Sequence, residues 1–393
     1  MFEHLRSASR RRFGRAVVVF ALGLLRTSHV PAQSPAGDPT RGETAVAAAG
    51  GFDATLVHAG DVGVWTCGAA RIFPRFGQPT VYGLDDRGRL LLCVGYSGAW
   101  TPIKALEDRE WLGAFAFADV DPRREGSEIY VGGRSGRLWQ VVPADDQSAD
   151  ATVIARFPGR EIHTATTVRR APDAPLEVLV FLDDGAVQVL TPTGPGRDFA
   201  ATPATRAPGR VRDVVTLPGA GATRFAAACR AGQVLRGEFV GGALRFESLV
   251  EEASGFGRVA LRPHSAPGAL VLYATRDDGV VVRLAERPDG GFAREAIFAG
   301  AQGLRGVAAG RFAADPNVET VAVTGYGAEV KLLARGADGR FGATTIYVDG
   351  DRAHWLAAAE LDGRNGTDEL LVSGYGGRIA LLARPGGYGL PGV

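Results

Sequence analysis

Two groups of side chains in this sequence have the types and spacing to do chemistry. The first is acidic. Asp119, Asp121 and Glu128 put three carboxylates within ten residues, and Glu360, Asp362, Asn365 and Asp368 put four oxygen-bearing side chains within nine. Calcium takes six to eight oxygens, mainly carboxylate and carbonyl, from short loops of this kind. Aspartate, asparagine and glycine also bond their own backbone in ordinary turns. Calcium and plain turn chemistry both stay open at this point.

The second group is basic and aromatic. Leu112, His163, Arg212, Gly257 or Arg258, Arg305 and His354 recur in one column at intervals of about 48 residues, with Trp111 and Trp355 beside it. Turns downstream add Arg134, Arg230, Arg276, Tyr326 and Tyr375. Gathered on one rim, these cations would focus a positive field in a concave mouth and concentrate an anionic ligand. Arginine's planar fork suits a carboxylate or a sulfate. His163 and His354 would face the same axis from opposite sides, and the neighbouring arginines would hold both imidazoles neutral. Two facts weigh against a dedicated site. Arginine is the default cation, Lys104 and Lys331 being the only lysines among 44 basic residues. Asp61, Glu110, Glu161, Asp183, Asp184 and Asp213 lie near enough in sequence to neutralise much of the ring. A solvated rim of mixed charge therefore stands beside an anion-binding mouth.

A column at a fixed interval implies a repeat, and the repeat supplies the elements that position it. A unit of apolar strand, turn and apolar strand occurs seven times, from Val81–Leu92 (VYGLDDRGRLLL) to Glu369–Leu382. Its turn glycines, Gly88, Gly136, Gly185, Gly232, Gly279, Gly327 and Gly377, are 47 to 50 residues apart. Alternating apolar residues around such a turn make each unit a β-hairpin. A strand of small residues precedes each hairpin and a more polar strand follows it. Four strands per unit make the blade of a propeller, with the small-residue strand innermost, where strands crowd the axis. The last unit stops after its third strand, near Arg384. Gly51-Phe52-Asp53-Ala54-Thr55-Leu56-Val57 matches the outer strands that begin at Gly291-Phe292 and Arg340-Phe341. The expected fold is all-β: a seven-bladed β-propeller of four-stranded blades over residues 51–393, its last blade closed by residues 51–58. Closure of this kind removes the unpaired sheet edges of an open array.

The stretch Ala118-Asp119-Val120-Asp121-Pro122, followed by Gly126-Ser127-Glu128-Ile129-Tyr130-Val131-Gly132, resembles the FG-GAP/VCBS repeat, in which an acidic turn precedes an apolar strand. Glu360-Leu361-Asp362-Gly363-Arg364-Asn365-Gly366-Thr367-Asp368-Glu369-Leu370 is similar to it as well. Arg311 to Val323 keeps only Asp315 and Glu319, and the other four units are degenerate. The resemblance implies an exported propeller, with calcium in the acidic loop of some relatives, and leaves the activity open. Both loops here depart from the full D-x-D-x-D-G spacing. The Gly-His and Trp-Asp dipeptides of WD40 repeats are missing.

No G-x-S-x-G, H-E-x-x-H, P-loop or CxxC motif occurs. The leading expectation is a non-catalytic propeller that binds a protein or a carbohydrate, anionic if the arginine ring is real, at one mouth of its channel through Arg212, Arg258, Arg305, His163, His354, Trp111 and Trp355. The alternative is an enzyme on anionic glycans. Some polysaccharide lyases are seven-bladed propellers, and their chemistry needs a cation for the uronate carboxylate and a His or Tyr as base. His163, His354, Tyr326 and Tyr375 are the residues for that role.

The 393 residues carry a formal net charge of +1, which excludes a strongly basic nucleic-acid binder. At the start, Arg6, Arg10, Arg11, Arg12 and Arg15 precede an apolar run from Ala16 to Leu25 that is too short to span a bilayer. Residues 1–32 therefore read as a signal peptide, with cleavage expected after Val30-Pro31-Ala32, Ser34-Pro35-Ala36 being the second choice, and no stable membrane insertion once it is removed. Ser9-Arg10-Arg11-Arg12-Phe13 resembles the twin-arginine export motif, with Gly14 where leucine is usual. Residues 33–50, rich in Pro, Ala, Gly and Thr, read as a flexible lead-in to the periplasmic or extracellular domain. Cys67, Cys93 and Cys229 are an odd, sparse set, which reads as buried small residues with a Cys67–Cys93 bridge as the alternative.

Overall fold

A computed structural model describes residues 50–73, 78–96, 99–121, 127–144, 148–193, 198–300, 303–361 and 366–385. The expected signal peptide, the lead-in up to residue 49, Asp362 and Asn365 lie outside the described residues. The described part contains 28 strands and no helix. The strands form seven four-stranded antiparallel sheets. Six sheets take their strands in chain order. Their first strands are β2 (Val64–Ala70), β6 (Leu112–Ala118), β10 (Ile162–Val168), β14 (Val211–Leu217), β18 (Phe256–Leu261) and β22 (Leu304–Ala309). The seventh sheet begins with β26 (Ala353–Ala359). Each first strand packs against the first strand of the next sheet, and β2 against β26 closes the ring. The molecule is a seven-bladed propeller.

The seventh blade takes its outer strand from the other end of the chain. β1 (Asp53–Ala59) pairs antiparallel with β28 (Arg378–Ala383), placing Asp53 opposite Ala383 and Ala59 opposite Arg378. Blade order is then β1, β28, β27 (Glu369–Gly374), β26. The pairing is the one required by the match between residues 51–57 and the other outer strands.

The core lies between blades. Second strands are the most deeply buried, and Glu177–Leu182 and Glu369–Gly374 are buried along their whole length. Each apolar cluster draws on two neighbouring blades: Tyr130 and Leu138 of the second blade pack with Ile162, Val178 and Val180 of the third. Small residues are needed where blades approach. A Cβ at Gly132 would stand 2.8 Å from the Ile162 side chain across that boundary.

One turn departs from the expected glycine register. Six of the seven turn glycines hold positive φ, but in the sixth blade the left-handed residue is Ala328 (φ 63°), not Gly327. The register follows the hairpin rather than the residue type, and an alanine there costs on the order of 1 kcal/mol.

Candidate functional site

Every first strand begins with a buried apolar residue followed by a break in pairing. The registers slip between Val64 and Thr66, Leu112 and Ala114, Ile162 and Thr164, Val211 and Asp213, Phe256 and Val259, Leu304 and Gly306, and Ala353 and Trp355. A bulge leaves an unpaired residue and re-aims its side chain. The residues released in this way are Trp65, Gly113, His163, Arg212, the pair Gly257–Arg258, Arg305 and His354. A cavity of about 270 Å³ at this end of the axis is lined by Trp65, Gly113, His163, Arg212, Arg258, Arg305 and His354, so all seven blades contribute. Trp111, Arg134, Arg210, Tyr326, Asp86 and Glu161 complete most of its wall.

The structure corrects the sequence column at one place. Leu112 is fully buried between blades, and Gly113 takes the equivalent of His163 and His354. Trp65, the first blade's contribution, lies 48 residues before Gly113, at the interval of the rest of the column. Of the turn residues, Arg134 and Tyr326 reach the cavity. Arg276 turns away to pair with Glu252 at 3.0 Å, and the mouth receives Asp277 instead. Trp355 stands behind the rim, where its ring carries the Arg258 guanidinium at 4.4 Å. Tyr375 sits edge-on to Trp65 at 5.2 Å, to His354 at 5.7 Å and beside Tyr326 at 6.0 Å.

The arginines are fixed, not free. Asp277 accepts from Arg212 Nη1 through both oxygens, at 2.8 and 3.0 Å, and also from Arg305. Arg212 Nη1 donates to the Phe256 carbonyl at 3.0 Å, and Arg258 Nη1 to the Arg212 carbonyl at 2.8 Å. Arg305 Nε donates to Tyr326 Oη at 3.3 Å. Arg210 stands 3.9 Å from both Glu161 and Asp183, and Arg134 3.4 Å from Glu161. Trp65 Nε1 donates to Asp86, and His354 Nδ1 lies 3.4 Å from the Trp65 carbonyl oxygen.

Burial and the neighbouring arginines act together on the titrating groups of the rim. Burial, with Arg305, Arg230 and Arg210 adding to it, lowers the pKa of Arg212 to about 10. Burial and the same crowding lower Arg258 to about 10, against the pull of Asp213. His163 falls to about 3 through burial and then Arg210, Arg258, Arg212 and Arg230. His354 is held well below the usual imidazole value by burial and Arg258. Both rings are neutral at physiological pH. Asp213, behind the rim, is raised to about 6 by burial.

The acidic loops take a different form. Glu128 is buried and accepts from the Val120 and Asp121 amides at 3.0 and 3.2 Å and from the Tyr130 hydroxyl at 3.0 Å. Asp368 and Glu360 share Arg311, at 2.9 and 3.1 Å. Asp121 is buried beside Glu128, while Asp119 is exposed. Among the described residues no three His, Cys, Asp or Glu side chains are grouped to hold a metal ion. A larger cavity of about 530 Å³ lies at the opposite ends of the first strands, between the loops that follow β18 and β22. It belongs to two blades only, and its buried Glu319 is neutralised by Arg283 at 2.6 Å and Arg335 at 3.3 Å.

No family model matches the chain, and no curated protein does. Solved structures match in fold. The WD40 β-propeller domain of Doa1 aligns with TM-score 0.59 at 10% identity, over 84% of this chain and 95% of that one. The BP39L lectin from Burkholderia pseudomallei aligns with TM-score 0.61 at 15% identity, over 85% and 99%. BBS1N, solved in complex with ARL6DN, aligns with TM-score 0.56 at 13% identity, over 86% and 97%. At such identities the likeness is one of fold, and that fold is the β-propeller.

Proposed function

We propose that this chain is an exported, non-catalytic propeller that holds a protein or carbohydrate partner at the bulge-lined mouth. One observation carries this: seven separate strands break their pairing at the same level, and each released residue lines the same cavity. Every blade also slips between its third and outer strands, so what marks the mouth is that seven released residues meet in one cavity. Among the propellers of like fold, one is a lectin and another was solved in complex with a protein. A protein or a sugar at a propeller surface is therefore in keeping with the scaffold.

The proton-abstracting alternative fits the site less well. A general base works best with a pKa near the working pH, and His163 at about 3 is a weak base. Its neutral ring suits a wall that offers hydrogen bonds without adding charge.

The test is a glycan and peptide array probed with the wild type and with Trp65→Ala and Arg258→Ala. Binders lost from both variants place the partner at the mouth. Binders that survive both substitutions unchanged would move the site elsewhere. Export belongs to the same proposal, on the basic and apolar residues of positions 6–25. An exported protein beginning near residue 33 is the expected product, and retention of Met1 in the cytoplasm would contradict it.

A further inference from the structure

The mouth contains donors with no acceptor in the protein. Trp111 Nε1 and Arg258 Nε are both buried and unpaired, and both residues line the cavity. A buried donor left unsatisfied costs about 1–3 kcal/mol, so two on one small wall call for an explanation. No oxygen of the lining side chains is in the same condition. What the cavity lacks is acceptors. The charge balance is only slightly positive: five arginines line the cavity against Asp86 and Glu161, with Asp277 clamped to two of the five and Asp183 3.9 Å from a third.

We propose that the mouth seats a uronic acid unit of a glycan, its carboxylate and ring oxygens drawing out the N–H groups of Arg258 and Trp111, which the wall of the mouth keeps shut off from water. This rests on the mouth being the seat of the partner, and adds the class of ligand. Several features favour a sugar acid over an acidic peptide. Asp86 and Glu161 share the wall with the arginines, and a sugar acid brings hydroxyl donors for them beside its single carboxylate. An acidic side chain of a peptide brings its carboxylate with no hydroxyl beside it. Trp65 and Trp111 stand edge to face at 6.0 Å, giving apolar ring surface for the C–H face of a pyranose. The volume, just below the roughly 300–1,000 Å³ of pockets for drug-sized ligands, admits about one sugar ring. Arg258 is held at the wall by its stack on Trp355 and its bonds to the Arg212 and Gly257 carbonyls, so binding has only to uncover its Nε.

The experiment titrates the full chain with digalacturonate and diglucuronate, their neutral methyl esters, and polyglutamate, following tryptophan fluorescence and heat at low and high salt. At least one free acid should bind tenfold or more tightly than its ester, and salt should weaken that preference. Arg258→Gln should lower the affinity for the acid at least tenfold. Trp111→Phe removes the N–H donor together with part of the ring surface that meets Trp65 and His163; it should cost the acid several-fold and leave the protein folded. Equal affinity for acids and esters, both weakened by Trp111→Phe, would overturn the anionic assignment and leave the mouth as the seat. Failure of every uronate to bind more tightly than its ester has the same consequence. Polyglutamate binding through Arg258 in place of the sugars would overturn the sugar assignment. Sugar binding untouched by either variant would overturn the mouth itself.

Discussion

Replacing Phe52 with alanine should loosen the closed ring far more than replacing Leu56, four residues along the same segment. Phe52 is 4% exposed and packs with Phe312 and Val330 of the sixth blade as well as Leu370 of the seventh. Val57 is 3% exposed and packs with Val64 and Val81 of the first blade. The closing segment thus grips the blade on either side of its own. Leu56 is 46% exposed. Truncating a core phenylalanine costs roughly 3–5 kcal/mol, and here the Arg384 guanidinium, 4.5 Å over the ring, loses its platform too. Val57→Ala removes two buried methyl equivalents at about 0.8 kcal/mol each, so about 2 kcal/mol with the cavity left behind. Leu56→Ala should stay within about 0.5 kcal/mol. The two buried residues belong to different clusters, so their costs should add to about 5–7 kcal/mol, a large share of the 5–15 kcal/mol usual for a folded domain. At about 2.1 cal/mol/K per residue over about 340 residues, 1 kcal/mol moves the melting temperature by roughly 1.4 °C. Calorimetry should show a drop of about 4–7 °C for Phe52→Ala and about 3 °C for Val57→Ala. Equal losses for Phe52→Ala and Leu56→Ala, or a double variant no worse than Phe52→Ala, would refute this picture of the closure.

His163 makes stability depend on pH. Its folded pKa, about 3, lies below the ordinary 6.5, so between those values the unfolded chain takes up a proton that the folded chain refuses. His163 by itself should lower stability as pH falls from about 6 to about 3, by up to about 1.4 kcal/mol per unit. Asp213, raised to about 6, acts in the opposite sense, because its folded carboxylate takes up a proton before the unfolded one does. The measurement is therefore the slope of unfolding free energy between pH 6 and 4, wild type against His163→Gln; identical slopes would contradict a buried neutral ring. Cys67, Cys93 and Cys229 are free and buried, and burial pushes Cys67 and Cys93 up to about 12. A thiol reagent at pH 8 should label none of them until denaturant is added; rapid labelling of the folded protein would show otherwise. Gly133→Ala would drive a Cβ into the Trp111 carbonyl oxygen at the second-blade bulge. Loss of about 1–3 kcal/mol of stability together with weakened ligand binding is expected, and an unperturbed variant would mean that the bulge can relax.

How much of this was legible in the sequence depended on whether a feature follows the repeat or breaks it. Blade number, strand order and closure follow a period near 48 residues and a match between the two ends, both visible without coordinates. His163, Arg212, Arg305 and His354 could be aligned because the blades that carry them have the same length up to the bulge. The sequence column falls on Leu112 where the structure has Gly113, because a bulge shifts the pleat by one residue and alternation alone does not say on which residue the shift falls. The choice between Gly257 and Arg258 stayed open for a related reason, since the fifth-blade register slips across both residues. Asp277 was hidden behind Arg276: which turn residue faces the axis is set by the hairpin geometry, and charge gives no hint of it. The unpaired donors of Trp111 and Arg258 are tertiary facts with no counterpart in a one-dimensional pattern.

The seat of the ligand is tested most directly by a crystal structure of the protein soaked with the uronate disaccharide that binds it best in solution. Electron density for a sugar ring should appear among Arg258, Trp111 and Trp65, with carboxylate oxygens at hydrogen-bonding distance from Arg258 Nε or Trp111 Nε1. Density in the cavity between the fifth and sixth blades beside Arg262 and His264, with the mouth bare, would contradict it.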